Sequence, residues 1–207
     1  MSGNLVTGEP MAGESMAHEP MADEPTRRRL TARQADTVRR LTEAAAEEIR
    51  EAGYENFSVR DVARRAEVGA ATAYTYFASK DHLLTEVFWR RLRALPPVDE
   101  SGPEAREAKA RVIAVLTELA LLVSGEPELA AGCTAAMFGT DPDVRQLRIQ
   151  IGMQIHRRLE AAAGPGNPAT GLIELAYFGA MVQAGLGYTT YARMADRLAE
   201  AVELILR

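Results

Sequence analysis

Residues 53–83 read GYENFSVRDVARRAEVGAATAYTYFASKDHL, and the fold turns on how this stretch is punctuated. Ser58-Val59-Arg60-Asp61 has the form of a capping box, in which a hydroxyl takes a backbone amide and an acid three residues on reaches back. It opens a short second helix carrying Val62, Ala63 and Ala66. Glu67-Val68-Gly69 makes a tight turn, and a third helix follows through Phe77. Ser79 can cap a fourth, whose Leu83, Leu84, Val87, Phe88 and Leu92 fall at core spacing until Leu95-Pro96-Pro97 ends it. Upstream, Ala35, Val38, Leu41, Ala45, Ile49 and Ala52 recur at steps of three or four, with Thr31 placed to cap this first helix and Gly53 to close it. Tyr54 and Phe57 then fold back onto the core. Two short helices joined by a tight turn behind a long one make a helix-turn-helix pattern. Its second short helix can enter a major groove about 12 Å wide while the first crosses the backbone.

The whole-chain charge argues the other way. The chain has 207 residues, 24 basic and 29 acidic side chains, and a net charge of -5, whereas nucleic-acid binders usually carry a basic surplus. The charge is unevenly placed. Residues 1–26 hold five acids and no Lys or Arg; residues 27–95 hold 14 basic and 10 acidic side chains, net +4; residues 96–207 hold 10 and 14, net -4. A basic module therefore lies between two acidic stretches. Residues 1–26 repeat Glu-Pro-Met-Ala at 9–12 and 19–22 and carry Pro10, Pro20 and Pro25, which marks a disordered acidic tail. Such a tail can compete with DNA for the basic module or have no role, with Met11, Met16 or Met21 as alternative starts.

Other classes fall quickly. No apolar run approaches the roughly 18–20 residues of a membrane span, and the N-terminus lacks the regions of a signal peptide. The single cysteine, Cys133, allows neither an intrachain disulfide nor a cysteine metal cluster. The expected compartment is the cytosol, with no cofactor and no metal. Strand-like alternation is absent, so the fold class is all-α, with about nine helices in total. In the second half the helices fall at 104–124, 127–138, 141–163, 169–188 and 192–206, separated by Gly- and Pro-rich turns. The expected organisation is a tail (1–26), a helix-turn-helix DNA-binding domain (27–78), a connecting helix (79–95), and a larger helical domain (96–207), to which the resemblance described next assigns ligand binding and dimerisation.

Residues 53–83 also resemble the DNA-binding signature of the TetR family of bacterial transcriptional regulators. The matching elements are Gly53-Tyr54, the Ser58 to Ala63 helix start, Ala66-Glu67-Val68, Thr72-Ala73-Tyr74, Tyr76-Phe77, Ser79-Lys80 and Leu83. Three positions depart from the family pattern. Gly69 stands where a Ser-like cap is usual, Ala71 replaces a Gly, and Glu67 replaces the turn Gly, where a side chain incurs left-handed strain.

The resemblance implies DNA contacts from Arg60, Ala70, Ala71, Thr72, Tyr74, Tyr76 and Lys80. Lys80, Tyr74 and Tyr76 suit phosphate oxygens; Thr72, Ala70 and Ala71 suit thymine methyls or a single base-edge bond. No Arg, Asn or Gln lies on the recognition helix, which leaves Arg60 as the best direct reader and gives DNA shape a larger share of specificity. Arg27-Arg28-Arg29, just ahead of the first helix, reads either as an arm into the minor groove or as a solvated charge run. Arg64 and Arg65 divide evenly between backbone contacts and surface charge.

For the second half the resemblance implies ligand binding and a homodimer paired through the last two helices. The small residues of 169–188 agree, and the interface candidates are Leu175, Gly179, Leu198, Val202 and Ile205, although packing within one subunit explains the same residues. The ligand-pocket candidates are Leu119, Leu122, Cys133, Met137, Phe138, Met153, Phe178 and Met181, an apolar set suited to a small apolar ligand, each also an ordinary core residue. His156 and Glu174 can serve as polar anchors, or His156 can lie on the surface beside Arg157 and Arg158. The function implied is a dimeric repressor on a palindromic double-stranded DNA operator, released by ligand. An all-α enzyme has little support, because His18, His82 and His156 lie on unrelated segments. A dimeric helical lipid- or small-molecule-binding protein with weakened operator recognition is the other reading, kept open by the Ala-rich recognition helix.

Overall fold

The computed structural model describes residues 31–98 and 105–206, with side chains from residue 108 onward in the second segment. These residues form nine α-helices and no strand. The expected tail at 1–26 and the basic run Arg27–Arg29 lie outside the described residues.

Helix α1 (Ala32–Asn56) begins with the Thr31 hydroxyl accepting from the Gln34 amide at 3.3 Å while the Gln34 side chain accepts from the Thr31 amide at 2.9 Å. Val38, Leu41, Ala45 and Ile49 form its buried stripe. Helical backbone is interrupted at Gly53 (φ 70°, ψ 164°), a conformation that a side chain opposes, and a last turn runs on to Asn56. That break aims Tyr54 at the fourth helix, where its hydroxyl donates to Asp81 at 2.7 Å, and Phe57 is buried just beyond.

Helix α2 (Val59–Arg65) is capped by Ser58, whose hydroxyl accepts from the Asp61 amide at 3.2 Å. The acid does not return to the Ser58 amide; it accepts from the Ser58 hydroxyl instead. Helix α3 (Ala70–Tyr76) follows, and α4 (Lys80–Ala94) starts where the Ser79 hydroxyl accepts from the His82 amide at 3.0 Å. The remaining helices are α5 (Ala105–Leu121), α6 (Pro127–Phe138), α7 (Pro142–Ala163), α8 (Thr170–Gly185) and α9 (Tyr191–Ile205). Helix α8 stops short of the expected residue 188. Gly187 takes φ 77°, and the amides of Gly187 and Tyr188 fold back onto the carbonyls of Ala184 and Gln183 at 3.0 and 2.9 Å.

A single hydrophobic cluster runs from Val38 in α1 through α4 to Val202 in α9. Helix α4 contributes most of its length to this cluster, packing on α1 on one side and on α6 and α7 on the other. Burying each of its fully enclosed leucines, Leu83, Leu84 and Leu92, contributes about 1.5–3 kcal/mol. Helix α9 lies along α5 and α8.

Two glycines set the position of α6. A Cβ on Gly132 would stand 2.7 Å from Ile49 Cδ1 and 3.0 Å from Leu84 Cδ1, so the tips of these two side chains rest against the α6 backbone there. A Cβ on Gly185 of α8 would overlap Thr134 of α6, reaching its Oγ1 at 2.7 Å and its Cβ at 2.8 Å. Thr134 has no free rotamer to escape into, because its hydroxyl is bonded to the Ala130 carbonyl at 2.9 Å and to Tyr191 at 3.1 Å. Gly185→Ala is therefore expected to destabilise the fold by about 1–3 kcal/mol, overriding the roughly 1 kcal/mol that Ala gains over Gly in a helix. Urea unfolding checks this, and a more stable variant would contradict the packing described.

Candidate DNA-binding surface and ligand cavity

The turn between α2 and α3 is built from backbone outward. The Glu67 amide donates to the Arg64 carbonyl at 3.1 Å and the Val68 amide to the Ala63 carbonyl at 2.9 Å, closing α2. Glu67 then takes φ 51°, the left-handed conformation that the sequence implied and that a non-glycine residue adopts at a cost of about 1–2 kcal/mol. Arg40 of α1 holds the turn in place, its guanidinium donating to the carbonyls of Ala66 and Glu67. Gly69 precedes α3 and offers no side-chain cap to the first amides of α3.

Helix α3 has one inward edge, Ala73 with Phe77 just after it, and one outward face. Ala70, Ala71, Thr72 and Tyr74 all lie on the exposed face, with Tyr74 51% exposed. Thr75 shares that face and was not among the sequence candidates; its position three residues after Thr72 is the signal that marks it. Tyr76 is half-buried against the core, so less of it reaches outward than of Tyr74. Arg60 stands exposed in the first turn of α2. The described part of this surface thus collects Arg60, the α3 face and the α3 amides.

Three other cations near it are tied down. Arg65 donates to Glu48 at 2.7 Å and to Glu51 at 3.0 Å, and lies 3.7 Å from Glu47, all on α1. Arg64 pairs with Asp61 at 2.8 Å, and the Ser58 hydroxyl and Arg64 together hold the Asp61 carboxyl below its ordinary range. Lys80 donates to the Tyr54 carbonyl at 3.0 Å with its ammonium 4.0 Å from the Tyr54 ring centroid. In this arrangement Lys80 latches the start of α4 to the end of α1 rather than standing free for phosphate.

A cavity of about 230 Å³ lies between α4, α6, α7 and α8. Cys133, Met137, Phe138, Phe178 and Met181 line it as expected, joined by Phe88, Ile151, Ile155 and three residues with polar atoms: Thr134, Arg148 and Tyr177. Three expected residues do not. Met153 is 45% exposed, because Ile151 and Ile155, two positions away on either side, take the inward face of α7 and turn it out. Leu119 is buried and Leu122 half-buried near α5, which packs on α7 and α9 away from the cavity; only Val123 from that region reaches the lining. His156 and Glu174 pair at 3.0 Å on the outside of α7 and α8 and are not anchors within the cavity. The Cys133 thiol points at the Leu84 carbonyl at 3.6 Å, and burial pushes it up to about 12, so it stays protonated and inert.

The interface candidates divide. Leu175 is 70% exposed, and Gly179 has open space where a side chain would point; with Leu172 and Leu186 they make an apolar stripe along α8. Leu198 and Val202 are 3% and 1% exposed, buried beneath α9 within the subunit, and Ile205 is half-buried. On α9 the apolar stripe was real, but the subunit's own α5 and α8 take it up.

Comparison with known proteins accords with this geometry. Residues 41–87 match the family model described as bacterial regulatory proteins, tetR family. The chain is similar to an uncharacterized HTH-type transcriptional regulator of Mycobacterium tuberculosis, 48% identical over 178 residues that span 84% of this chain and 82% of the relative. It is also similar to the HTH-type transcriptional repressor KstR of Rhodococcus jostii, 28% identical over 65% of this chain and 63% of that protein. Among solved structures, the transcriptional regulator FadR from Bacillus subtilis in complex with stearoyl-CoA superposes with a TM-score of 0.55 at 17% identity, covering 79% of this chain and 96% of that one. With a helix-turn-helix held by its own caps, a matching family model and a relative sharing nearly half its residues along most of both chains, this protein belongs to the TetR family of bacterial transcriptional regulators.

Proposed function

We propose that the protein is a cytosolic homodimeric repressor that occupies a palindromic operator and leaves it when a small apolar ligand fills the cavity of each subunit. The observation that carries this reading is the position of α6. One side of α6 lines the cavity through Cys133 and Met137, while Gly132 abuts Ile49 of α1 and Leu84 of α4. At its N-terminal end Glu126 accepts from Arg91 of α4 at 2.6 Å and from Arg50 of α1 at 3.1 Å. A ligand that displaces α6 therefore displaces α1, the helix that carries the recognition elements, and so changes the distance between two heads in a dimer. Coupling of roughly 1–3 kcal/mol would change DNA affinity about 5–150-fold. KstR is named a repressor, which supports the repressor half by analogy, and the FadR structure holds stearoyl-CoA, whose acyl chain is apolar although its coenzyme A moiety is charged.

On DNA, Arg60 is the proposed direct reader and Tyr74 the phosphate contact, with Thr72, Thr75, Ala70 and Ala71 against base edges and thymine methyls. Tyr76, Lys80 and the arm at Arg27, Arg28 and Arg29 are proposed as lesser phosphate contacts, Lys80 only if it leaves Tyr54. The proposed dimer face is the α8 stripe of Leu175 and Gly179, two-fold pairing placing the recognition helices about one DNA turn apart. The Ala-rich outer face of α3, together with the tied Lys80 and Arg65, favours a second reading: a dimeric small-molecule-binding protein with weakened operator recognition.

Footprinting on DNA flanking the protein's own gene tests the first reading, with salt-sensitive, sequence-specific protection expected. Arg60→Ala is expected to weaken that binding by about 1–3 kcal/mol with an unchanged circular dichroism spectrum, since the side chain is exposed. Equal affinity of wild type and variant favours the second reading. Leu175→Glu is expected to shift the protein from dimer to monomer in sedimentation analysis; a dimer that survives the change places the interface elsewhere.

A further inference from the structure

The cavity is lined almost wholly by carbon, and one charged side chain, Arg148 of α7, reaches it. The Arg148 Nη1 donates to the carbonyls of Met137, at 3.3 Å, and Gly139, and so holds the end of α6. Both acceptors are neutral, and Arg148 makes no ion pair among the described residues. The carboxylates of this corner are engaged elsewhere. Asp81 accepts from the Tyr54 hydroxyl at 2.7 Å, and Asp141 accepts from the Ser79 hydroxyl and from the Asp143 amide at 2.8 Å. A guanidinium carries five N–H donors in a planar fork, and holding α6 uses Nη1 alone. The Nε and Nη2 edge, which can take a carboxylate through two parallel bonds, has no partner among the described residues.

Arg148 also stands where the cavity meets solvent. The two carbonyls it holds flank Phe138 in the chain, and Phe138 lines the cavity while remaining 60% exposed. The other polar groups of the lining have nothing to offer. The Cys133 thiol faces the Leu84 carbonyl at 3.6 Å, and the Thr134 hydroxyl donates to the Ala130 carbonyl at 2.9 Å and meets the Tyr191 hydroxyl at 3.1 Å. The Tyr177 hydroxyl is itself fully buried. The site is amphipathic: an apolar chamber with one unpaired cation at its rim.

We infer that Arg148 is the anion anchor of the ligand site, and that the ligand is a compact alkyl or ring skeleton ending in a single carboxylate. This rests on the reading of the cavity as the ligand site. One negative charge matches the one guanidinium; a second would stand beside carbon without a partner. The rim position leaves the carboxylate partly hydrated, so its desolvation is incomplete while the skeleton is buried. Compactness follows from volume: about 230 Å³ lies below the ~300–1,000 Å³ of pockets that hold drug-sized molecules. The anchor also has a lever. Gly139, held by Arg148, lies against α4, where a Cβ on it would stand 3.5 Å from Asp81 Oδ2, and the other Asp81 oxygen accepts from Tyr54 of α1. A carboxylate drawn onto Arg148 therefore acts on the end of α6 at its joint with the head.

The test uses the full chain, wild type and Arg148→Gln, titrated calorimetrically with octanoate, octanamide and octyl phosphate. Glutamine keeps an N–H donor for the α6 carbonyls and removes the charge and the fork. Wild type is expected to bind octanoate about tenfold tighter than Arg148→Gln does. That is the low end for hydrogen bonds to a charged group, because Arg148 is half-buried and partly screened. Octanamide, the neutral isostere, is expected to bind both proteins alike, which confirms that the variant keeps its cavity. Within wild type alone, octanoate is expected to bind tighter than octanamide and tighter than octyl phosphate, comparisons that hold even if the variant fails to fold. Equal octanoate affinity for both proteins, or octanamide binding wild type tighter than octanoate, overturns the anchor and leaves the apolar cavity standing. Octyl phosphate binding tighter than octanoate overturns the carboxylate class. If none of the three binds wild type, the ligand-site reading fails and the anchor with it.

Discussion

Helix α6 can lie where it does only because two positions lack side chains. Gly132 lets its backbone press against Ile49 and Leu84, and Gly185 lets α8 close over Thr134. Between these contacts α6 is closely packed on both sides, with little slack, since packed interiors do not deform smoothly. Everything else of functional interest leans on that placement. The cavity is the space left beside α6, the head is joined to the body through α6, and the α8 stripe faces outward because α8 is pinned by its inner edge.

The charges near the head reinforce the same joint. Glu126 ties α6 to both α1 and α4, and its carboxyl is held below the ordinary range first by Arg91. The Ser79 hydroxyl, which starts α4, also donates to Asp141, which starts α7, and Tyr54 reaches from α1 to Asp81. Each is a side chain joining segments distant in sequence. Together they make the head and body mechanically continuous, consistent with the unbroken core from α1 to α9. Of the net +4 of residues 27–95, three charges belong to Arg27, Arg28 and Arg29, outside the described residues. In the head several positive charges are already neutralised within the subunit, as Arg65 among three carboxylates shows.

The helices and their ends were legible in the sequence because their causes are local. The caps at Thr31, Ser58 and Ser79, the proline starts of α6 and α7, and the left-handed turn at Glu67 each depend on residues within a few positions. The buried stripe of α1 and the exposed face of α3 follow from a period of 3.6, which acts along a single helix. Which residues of α3 are exposed was therefore readable along the helix, Thr75 apart, whereas the engagement of Lys80 with Tyr54 was not.

What each side chain meets was settled in three dimensions. The α9 stripe of Leu198 and Val202 fits a partner subunit or α5 equally well by pattern, and only the tertiary packing assigns it to α5 and α8. Met153 turns out because Ile151 and Ile155 turn in, and Lys80 is engaged because Gly53 turns Tyr54 toward it across 26 positions of sequence. The sequence by itself determined the family, the all-α elements and the exposed face of α3, since those rest on local hydrogen bonding and helical period. The tertiary structure decided which charges are spent and which stripe is free, because those depend on neighbours that sequence spacing does not identify.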